Sequence, residues 1–461
     1  MNPPIASALL AAWLAVPAAA AAQAAPSPAL DYGPHDVGFT VIEALDSTRA
    51  FRPLRDFAGR LAAETARPVQ VSIWYPADAP PDAPRMRAGE FRLLRETEVD
   101  FGVVLGAAEE ARLRADFIEA AVGFGQERAA AARTWDETTP AVRDAPHVPG
   151  SHPTLLYVGA IGVSDPLLPA YLASHGYVVA SFPSNGRMTD GALEFTPNAL
   201  TLDTRIDDAG FVHALLRRLP YADTRRLAVA SFSGGSLAAL LWTMRDMQPA
   251  AIIAIEGWER YRRGADLVVE SVHYDPHRVR VPFLMLERAA DEASPDYAKV
   301  PDVVDALPYS YVVRVSFRDA SHGDFLSHPV LGHTPHHADI YGASARFIRR
   351  FLQGNIAGDD EDPDRPPSLL PSEAASLTMR GLPPIGPVPT EEELYRLAET
   401  DPAAAAAAYR EAIRIVPGAT LFREHVLARA ARFAATSADS AIIMGIVRDA
   451  YPDTTAAPPP R

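Results

Sequence analysis

The chain has 461 residues, enough for one large domain and a smaller one. Its hydrophobic content of 48% and charged content of 22% are those of an ordinary soluble globular protein. A net charge of −15 argues against a nucleic-acid partner or an anionic membrane surface, and the absence of cysteine excludes disulfides, thiolate metal sites and a cysteine nucleophile.

The first residues, "MNPPIASALLAAWLAVPAAAAAQAAPSP", contain a short apolar core followed by small residues of the A-x-A type. That pattern is typical of a cleavable secretory signal. It predicts a signal peptide over residues 1–25, with cleavage near Ala22 to Ala25, and a secreted or periplasmic protein. No later segment of the sequence has the length and apolar character of a membrane span.

A large domain is predicted over residues 30–357. Its first clear strand is "VQVSIWYPA" (residues 69–77), which is rich in β-branched and aromatic side chains. Residues 86–145 are rich in Ala, Glu and Arg at helical spacing and predict a helical insertion. Two roles are open for this insertion, a packed helical layer or a cap over a cleft that selects the substrate.

From residue 154 onwards, short apolar runs alternate with helical segments. The runs are "TLLYVGA", "YVVASFP", "RLAVASF", "AAIIAIEG", "VPFLMLE" and "YVVRVSF". Continuous apolar runs joined by helices predict an α/β fold, in which a mostly parallel sheet is covered by helices on both faces. In such sheets the chemistry collects beyond the carboxyl ends of the strands.

The C-terminal part of the chain differs in composition. Residues 358–390 are rich in proline and acidic residues and predict a linker. Residues 391–452 return to helical spacing, and "AAAAAAYREAIRIVPG" is similar to a tetratricopeptide helix pair. The sequence therefore predicts a small helical appendage, whose role is either packing or contact with a partner protein.

The stretch "RRLAVASFSGGSLAALLW" (residues 225–242) passes from a strand pattern to a helical one at Ser233. The residues two places before and after it, Ser231 and Gly235, are small. A nucleophile elbow needs small residues there, because its strand and helix cross tightly. The stretch predicts that Ser233 is a nucleophile, although Ser231 stands where a glycine is usual.

Three further candidates follow later strands. "AAIIAIE" ends in Glu256, "VPFLMLERAAD" leads into Asp291, and "YVVRVSFRDASHGDF" leads into His322. Serine, then carboxylate, then histidine is the chain order of an α/β-hydrolase triad. In that chemistry the histidine takes the serine proton and the carboxylate orients the imidazole.

Acyl transfer also needs two donors for the developing oxyanion. One would be the backbone N–H of Gly234, directly after the serine. The other would come from the segment after "LLYV", with Ala160 in "VGAIG" as the candidate.

Three stretches, "YLASHGYVVASFPSNGR", "YADTRRLAVASFSGGS" and "ASHGDF", resemble α/β-hydrolases of the dienelactone hydrolase type. The resemblance covers roughly residues 67–352 and extends to platelet-activating-factor acetylhydrolases and cutinase-like polyester hydrolases. The acetylhydrolase pattern implies Glu256 as the acid, and the polyester-hydrolase pattern implies Asp291. We favour Glu256, because it directly follows an apolar strand, where a buried carboxylate needs a partner.

Trp258, two residues after Glu256, resembles the aromatic residue that stacks on substrate in the polyester hydrolases, and a core tryptophan is the alternative reading. We therefore expect a serine hydrolase that cleaves small-molecule carboxylic esters, with no cofactor and no metal. Two alternatives stay open, an amidase or peptidase, and a non-catalytic binding protein on a hydrolase scaffold that uses its C-terminal helices for docking.

Overall fold

The computed structural model describes residues 30–51, 65–123, 126–159, 165–183, 185–186, 198–289, 303–327, 331, 335–357, 374–380, 389–415 and 421–451. Three predictions lie outside these residues: the signal peptide over residues 1–25, the oxyanion donor Ala160 and the alternative acid Asp291.

One sheet of eleven strands forms the centre of the described part of the chain. The strands are β1 (Asp36–Phe51), β2 (Thr65–Ala77), β3 (Arg85–Arg87), β4 (Thr138–Arg143), β5 (His152–Val158), β6 (Val178–Ser181), β7 (Ala222–Phe232), β8 (Ala251–Ile255), β9 (Phe283–Arg288), β10 (Val312–Phe317) and β11 (Ala374–Arg380). Their spatial order is β11-β10-β9-β8-β7-β5-β6-β2-β1-β4-β3.

The neighbours from β6 through β5, β7, β8 and β9 to β10 all pair in parallel. Strand β2 pairs antiparallel with β6 and β1, and β11 pairs antiparallel with β10. All the apolar runs predicted as strands are strands, and most of their residues are buried, as in the near-continuous apolar strands of a sheet covered on both faces. The predicted mostly parallel sheet is confirmed.

The helices are α1 (Ala88–Leu93), α2 (Ala107–Gly123), α3 (Arg128–Asp136), α4 (Leu167–Ser174), α5 (Ala199–Leu216), α6 (Gly235–Asp246), α7 (Arg262–Val269), α8 (Pro335–Leu352), α9 (Glu391–Thr400), α10 (Pro402–Ile415), α11 (Glu424–Arg432) and α12 (Ser437–Ala450). Short 3₁₀ turns span Leu94–Thr97, Trp258–Arg260, Pro276–Arg278 and His322–Phe325, and a π-helical turn spans Gln353–Ala357.

Helices cover both faces of the sheet, as predicted. Helices α5, α6 and α7 pack on one face, and α4 and α8 pack on the other. Strand β7 shows the alternation, since Leu227 and Val229 face the first layer and Ala228 and Ala230 face the second. None of the helices in the described part of the chain combines the length and apolar character that crossing a bilayer requires.

The segment expected to be a helical insertion, residues 86–145, contains helices α1 to α3 and also short strands near its two ends. Strand β4 pairs in parallel with β1, and β3 pairs antiparallel with β4. Phe91 of α1 stacks on Trp74 of β2, with ring centroids 5.7 Å apart. The segment therefore extends the sheet as well as adding helices, which helical spacing alone did not predict.

The linker prediction over residues 358–390 needs a correction, because strand β11 lies within it. This strand pairs with β10 from Val312↔Arg380 to Phe317↔Ala374. The pairing partner is about 60 residues away in the sequence, so the proline-rich and acidic composition around the strand gave no sign of it.

Helices α9 to α12 share an apolar core of their own, which includes Leu394, Leu427 and Ile443. This C-terminal unit contacts the sheet domain through Arg280, which donates to the Leu421 carbonyl at 2.8 Å. The Arg280 guanidinium also lies over the Tyr309 ring, 5.5 Å from its centroid.

Candidate active site

Ser233 stands on the sharp turn between β7 and α6. Its φ of 54° is in the left-handed region, and its N–H donates to the Ile255 carbonyl at 3.0 Å. At Gly235, a Cβ would lie 2.1 Å from the Val158 carbonyl oxygen, so no larger residue fits there. The unusual Ser231 is accommodated because its hydroxyl donates to the Ile253 carbonyl of the next strand at 3.0 Å. This is the geometry that a nucleophile elbow requires.

His322 begins the 3₁₀ turn that follows β10, and it is buried. Its Nε2 lies 3.1 Å from Ser233 Oγ, and its Nδ1 lies 3.0 Å from Glu256 Oε2. The ring also packs on Phe232, with centroids 4.8 Å apart, which limits its rotation. One imidazole thus joins a hydroxyl to a carboxylate.

Glu256 is the first residue after β8, and its side chain is fully buried. Its φ of 49° turns the chain sharply, and its N–H donates to the Leu286 carbonyl at 2.7 Å. This turn points the carboxylate along the sheet edge toward the histidine of the β10 turn. In the described part of the chain, Glu256 is therefore the carboxylate that contacts His322.

The Glu256 carboxylate is ionised at neutral pH. Burial by itself raises the pKa of this group, but the hydrogen bond with His322, the charge of Arg260 and the backbone N–H of Arg288 together lower it below the ordinary value. Arg260 Nη2 lies 3.1 Å from Glu256 Oε1, and the Arg288 N–H donates to the same oxygen at 2.7 Å.

Serine, carboxylate and histidine thus follow β7, β8 and β10 in that chain order, with the serine on a left-handed strand-to-helix turn. Together, this turn and the parallel sheet with helices on both faces identify the architecture. The chain has the α/β-hydrolase fold.

The candidate oxyanion donor Gly234 follows the serine of this α/β-hydrolase fold directly and precedes α6. Strand β5 ends at Val158, which pairs with Ser231 of β7. The segment after β5 therefore starts beside the elbow, on the side where a second donor is needed. Ala160 lies in that segment, one residue beyond the described part.

Trp258 lies two residues after Glu256 and is half-buried against the core on the α6 face. Its backbone N–H donates to Ser236 Oγ at 3.0 Å, and the Ser236 hydroxyl in turn donates to Glu259. These bonds join the segment after β8 to the first turn of α6. They hold Ser236 at the start of α6, three residues after the candidate nucleophile, against the segment that follows Glu256.

The two arginines that contact Glu256, Arg260 and Arg288, were not predicted from the sequence. Arg260 lies four residues after the acid and Arg288 ends the next strand, and no motif distinguishes either from a surface arginine. Within the described residues, no group of three or more His, Asp or Glu side chains has the arrangement of a metal site.

No family model and no curated protein matches this chain. Among solved structures, a ferulic acid esterase from Streptomyces cinnamoneus is 18% identical, with 75% of this chain and 96% of the esterase covered and a TM-score of 0.48. An acylaminoacyl peptidase from Pyrococcus horikoshii is 15% identical, with 47% of this chain and 39% of the peptidase covered and a TM-score of 0.33. The fold assignment rests on the sheet and the elbow of this chain.

Proposed function

We propose that this protein is a serine hydrolase that cleaves carboxylic esters through an acyl-serine intermediate. The observation that carries the proposal is the position of His322, with Nε2 at 3.1 Å from Ser233 Oγ and Nδ1 at 3.0 Å from Glu256 Oε2. A hydroxyl, an imidazole and a buried carboxylate in this series are what nucleophilic acyl transfer needs.

In the proposed reaction, Ser233 Oγ attacks the ester carbonyl carbon while His322 Nε2 takes the hydroxyl proton. The tetrahedral oxyanion accepts hydrogen bonds from the Gly234 N–H and from a donor in the segment after β5, for which Ala160 is the candidate. Glu256 holds Nδ1 protonated and stabilises the imidazolium.

The imidazolium then protonates the leaving alcohol, and the acyl group stays on Ser233. Water enters, His322 takes one of its protons, and hydroxide adds to the acyl carbon. Collapse of the second tetrahedral species releases the carboxylic acid and returns the proton to Ser233. The cycle consumes one water per ester and needs no redox partner.

Esters rather than amides are proposed because the motifs around Ser233 and His322 resemble those of ester hydrolases. Export to the periplasm or the medium, which residues 1–25 predict, is part of the same proposal. A contact between the C-terminal unit and another protein stays a prediction.

Ser233→Ala tests the proposal directly. Hydrolysis of short p-nitrophenyl esters should fall by about 10⁴-fold or more, because the attacking atom is gone, and fluorophosphonate labelling should disappear. Ser231→Ala is the matched control, since it removes a buried hydroxyl two residues earlier and leaves the proposed nucleophile in place. That variant should label like the wild type.

Equal labelling of the wild type and Ser233→Ala would remove Ser233 as the nucleophile. Turnover of peptide or anilide substrates without turnover of esters would favour the amidase alternative. Neither labelling nor turnover across both substrate panels would favour the non-catalytic binding protein.

A further inference from the structure

The two oxygens of the Glu256 carboxylate have different neighbours. Oε2 lies 3.0 Å from His322 Nδ1 and 3.5 Å from Arg288 Nε. Oε1 accepts the Arg288 N–H at 2.7 Å and lies 3.1 Å from Arg260 Nη2. A fully buried carboxylate thus contacts a guanidinium on the side opposite the histidine.

Arg260 is itself buried, with 3% of its side chain exposed, and it lies between two carboxylates. Its Nη1 donates to Glu287 Oε2 at 3.0 Å, and its Nη2 donates to the Tyr261 hydroxyl at 3.1 Å. Burial opposes the charge of Arg260, but the contacts with Glu256, Tyr261 and Glu287 raise the pKa of the guanidinium, so it stays protonated.

We propose that Arg260 is a positioning residue: it holds the Glu256 carboxylate charged and aimed at His322, and it thereby sets the low-pH limit of hydrolysis. The inference rests on the proposed function and adds a residue to it. Arg260 touches the carboxylate oxygen that faces away from the imidazole, so its effect reaches the histidine through Glu256.

The direction of the effect follows from charge. A fixed positive charge at Oε1 makes a further proton on the Glu256–His322 pair less favourable. The pair therefore binds its proton only at a lower pH than it would beside a neutral residue, and the base stays available in mildly acidic medium. A proton on either member stops the reaction, because the imidazole can then no longer accept the Ser233 proton.

Other charged groups lie around the pair. Arg288 contacts Glu256 from β9, with 29% of its side chain exposed. Arg314 of β10 reaches Glu287 at 3.9 Å, and Asp324 lies on the histidine turn, where it accepts the Ser321 N–H at 2.6 Å. Of the two arginines that contact Glu256, Arg260 is the more buried, so solvent screens its charge less.

The test compares two substitutions of one residue. Arg260→Gln removes the charge but keeps an N–H donor for Oε1, and Arg260→Lys keeps the charge but loses the planar fork. The acid limb of the kcat/KM profile should move up by about one pH unit in Arg260→Gln, and it should stay within about 0.3 unit of the wild type in Arg260→Lys.

Two more variants guard against a purely structural effect. Glu287→Gln removes the competing carboxylate, so the acid limb should move down by about half a unit, the opposite direction. Arg314→Gln removes a cation that contacts Glu287 rather than Glu256, and it should shift the limb by about 0.3 unit or less. A loss of folding would change the amplitude of all profiles, whereas it would not produce shifts of opposite sign.

Each profile is normalised to the number of sites that fluorophosphonate labels. The titration midpoint of the His322 imidazole is followed by NMR in parallel, using the resonance that His322→Asn removes, and it should move by the same amount in Arg260→Gln. Unchanged midpoints in Arg260→Gln would overturn the role of Arg260. The NMR midpoint needs no turnover, so this result is separable from a failure of Ser233→Ala to abolish hydrolysis.

Discussion

Two carboxylates of this α/β-hydrolase fold are almost fully buried, yet their pKa values are shifted in opposite directions. Glu256 follows β8, is 0% exposed, and has a lowered pKa. Asp165 lies in the segment after β5, is 1% exposed, and burial raises its pKa to about 6. The comparison separates the effect of burial from the effect of the neighbours.

Both groups accept hydrogen bonds. Asp165 Oδ1 accepts the Ser327 N–H at 3.0 Å and the Tyr341 hydroxyl at 3.1 Å, and both of these donors are neutral. Glu256 has the guanidinium groups of Arg260 and Arg288 in contact, as well as a backbone N–H and the imidazole. Neutral donors reduce the penalty of burial, and a cation in contact reverses it.

Of the substitutions at these two carboxylates, Glu256→Gln should have the largest effect, about a 10³- to 10⁴-fold loss of kcat. The Arg288 N–H and Arg260 both need an acceptor at Oε1, so the amide oxygen takes that position and the amide NH₂ faces His322. The imidazole then carries its proton on Nε2 and cannot accept the Ser233 proton. Steady-state kinetics with a p-nitrophenyl ester measure the loss.

Glu287→Gln is the control, because it also converts a buried carboxylate beside Arg260, and near pH 8 its kcat should change by only a few-fold. A loss of less than about tenfold in Glu256→Gln would transfer the role of acid to another residue. Asp291→Asn is then the variant to compare.

Asp165→Asn should raise stability at pH 8 by on the order of 3 kcal/mol, because the charged form of Asp165 is disfavoured in the folded protein. Since the pKa of Asp165 is higher in the folded chain than in the unfolded one, the folded state binds more protons between about pH 4 and 6. The stability of the wild type therefore falls as pH rises through that window.

Urea unfolding at pH 4 and pH 8 measures the effect, and the difference between Asp165→Asn and the wild type should vanish at pH 4. Turnover at pH 8 should be kept, because Asp165 is not in the series that contains Ser233. An equal effect of Asp165→Asn on the free energy of unfolding at both pH values would contradict the raised pKa of Asp165.

Tyr341→Phe should have the smallest effect, a loss of about 1 kcal/mol at pH 8. It removes one neutral donor from the Asp165 carboxylate and leaves the ring in place. The loss should be smaller at pH 4, where the carboxyl is protonated and binds the hydroxyl less strongly. Urea unfolding at pH 4 and pH 8 measures this loss. An equal loss of stability at both pH values would show that the Tyr341 hydroxyl does not interact with the charge of Asp165.

Much of the fold was readable from local patterns. The apolar runs from residue 154 to 317 all became strands, and the small residues around Ser233 indicated the elbow. Strand β11 was missed because its residues gain their conformation from β10, a distant partner. The sheet contribution of residues 86–145 was missed for the same reason, since β4 depends on β1.

The serine, carboxylate and histidine of the candidate site were predictable from the sequence, whereas the buried charged residues around them were not. Ser233, Glu256 and His322 each directly follow or lie a few residues beyond a predicted strand, and parallel strands bring such positions to one edge. Arg260 and Asp165 follow no motif, because a charged side chain reads as a surface residue until its burial is known.

The sequence by itself therefore determined the alternation of strands and helices, the tight turn at Ser233 and the order of serine, carboxylate and histidine. The first two depend on side chains within a few residues of one another, and the third depends on the order in which the strands follow one another along the chain. The tertiary structure alone decided which cations contact Glu256, how Asp165 is buried and which strands pair at the edges of the sheet. Electrostatic energies depend on distance and dielectric between residues far apart in the chain, and only the folded protein sets both.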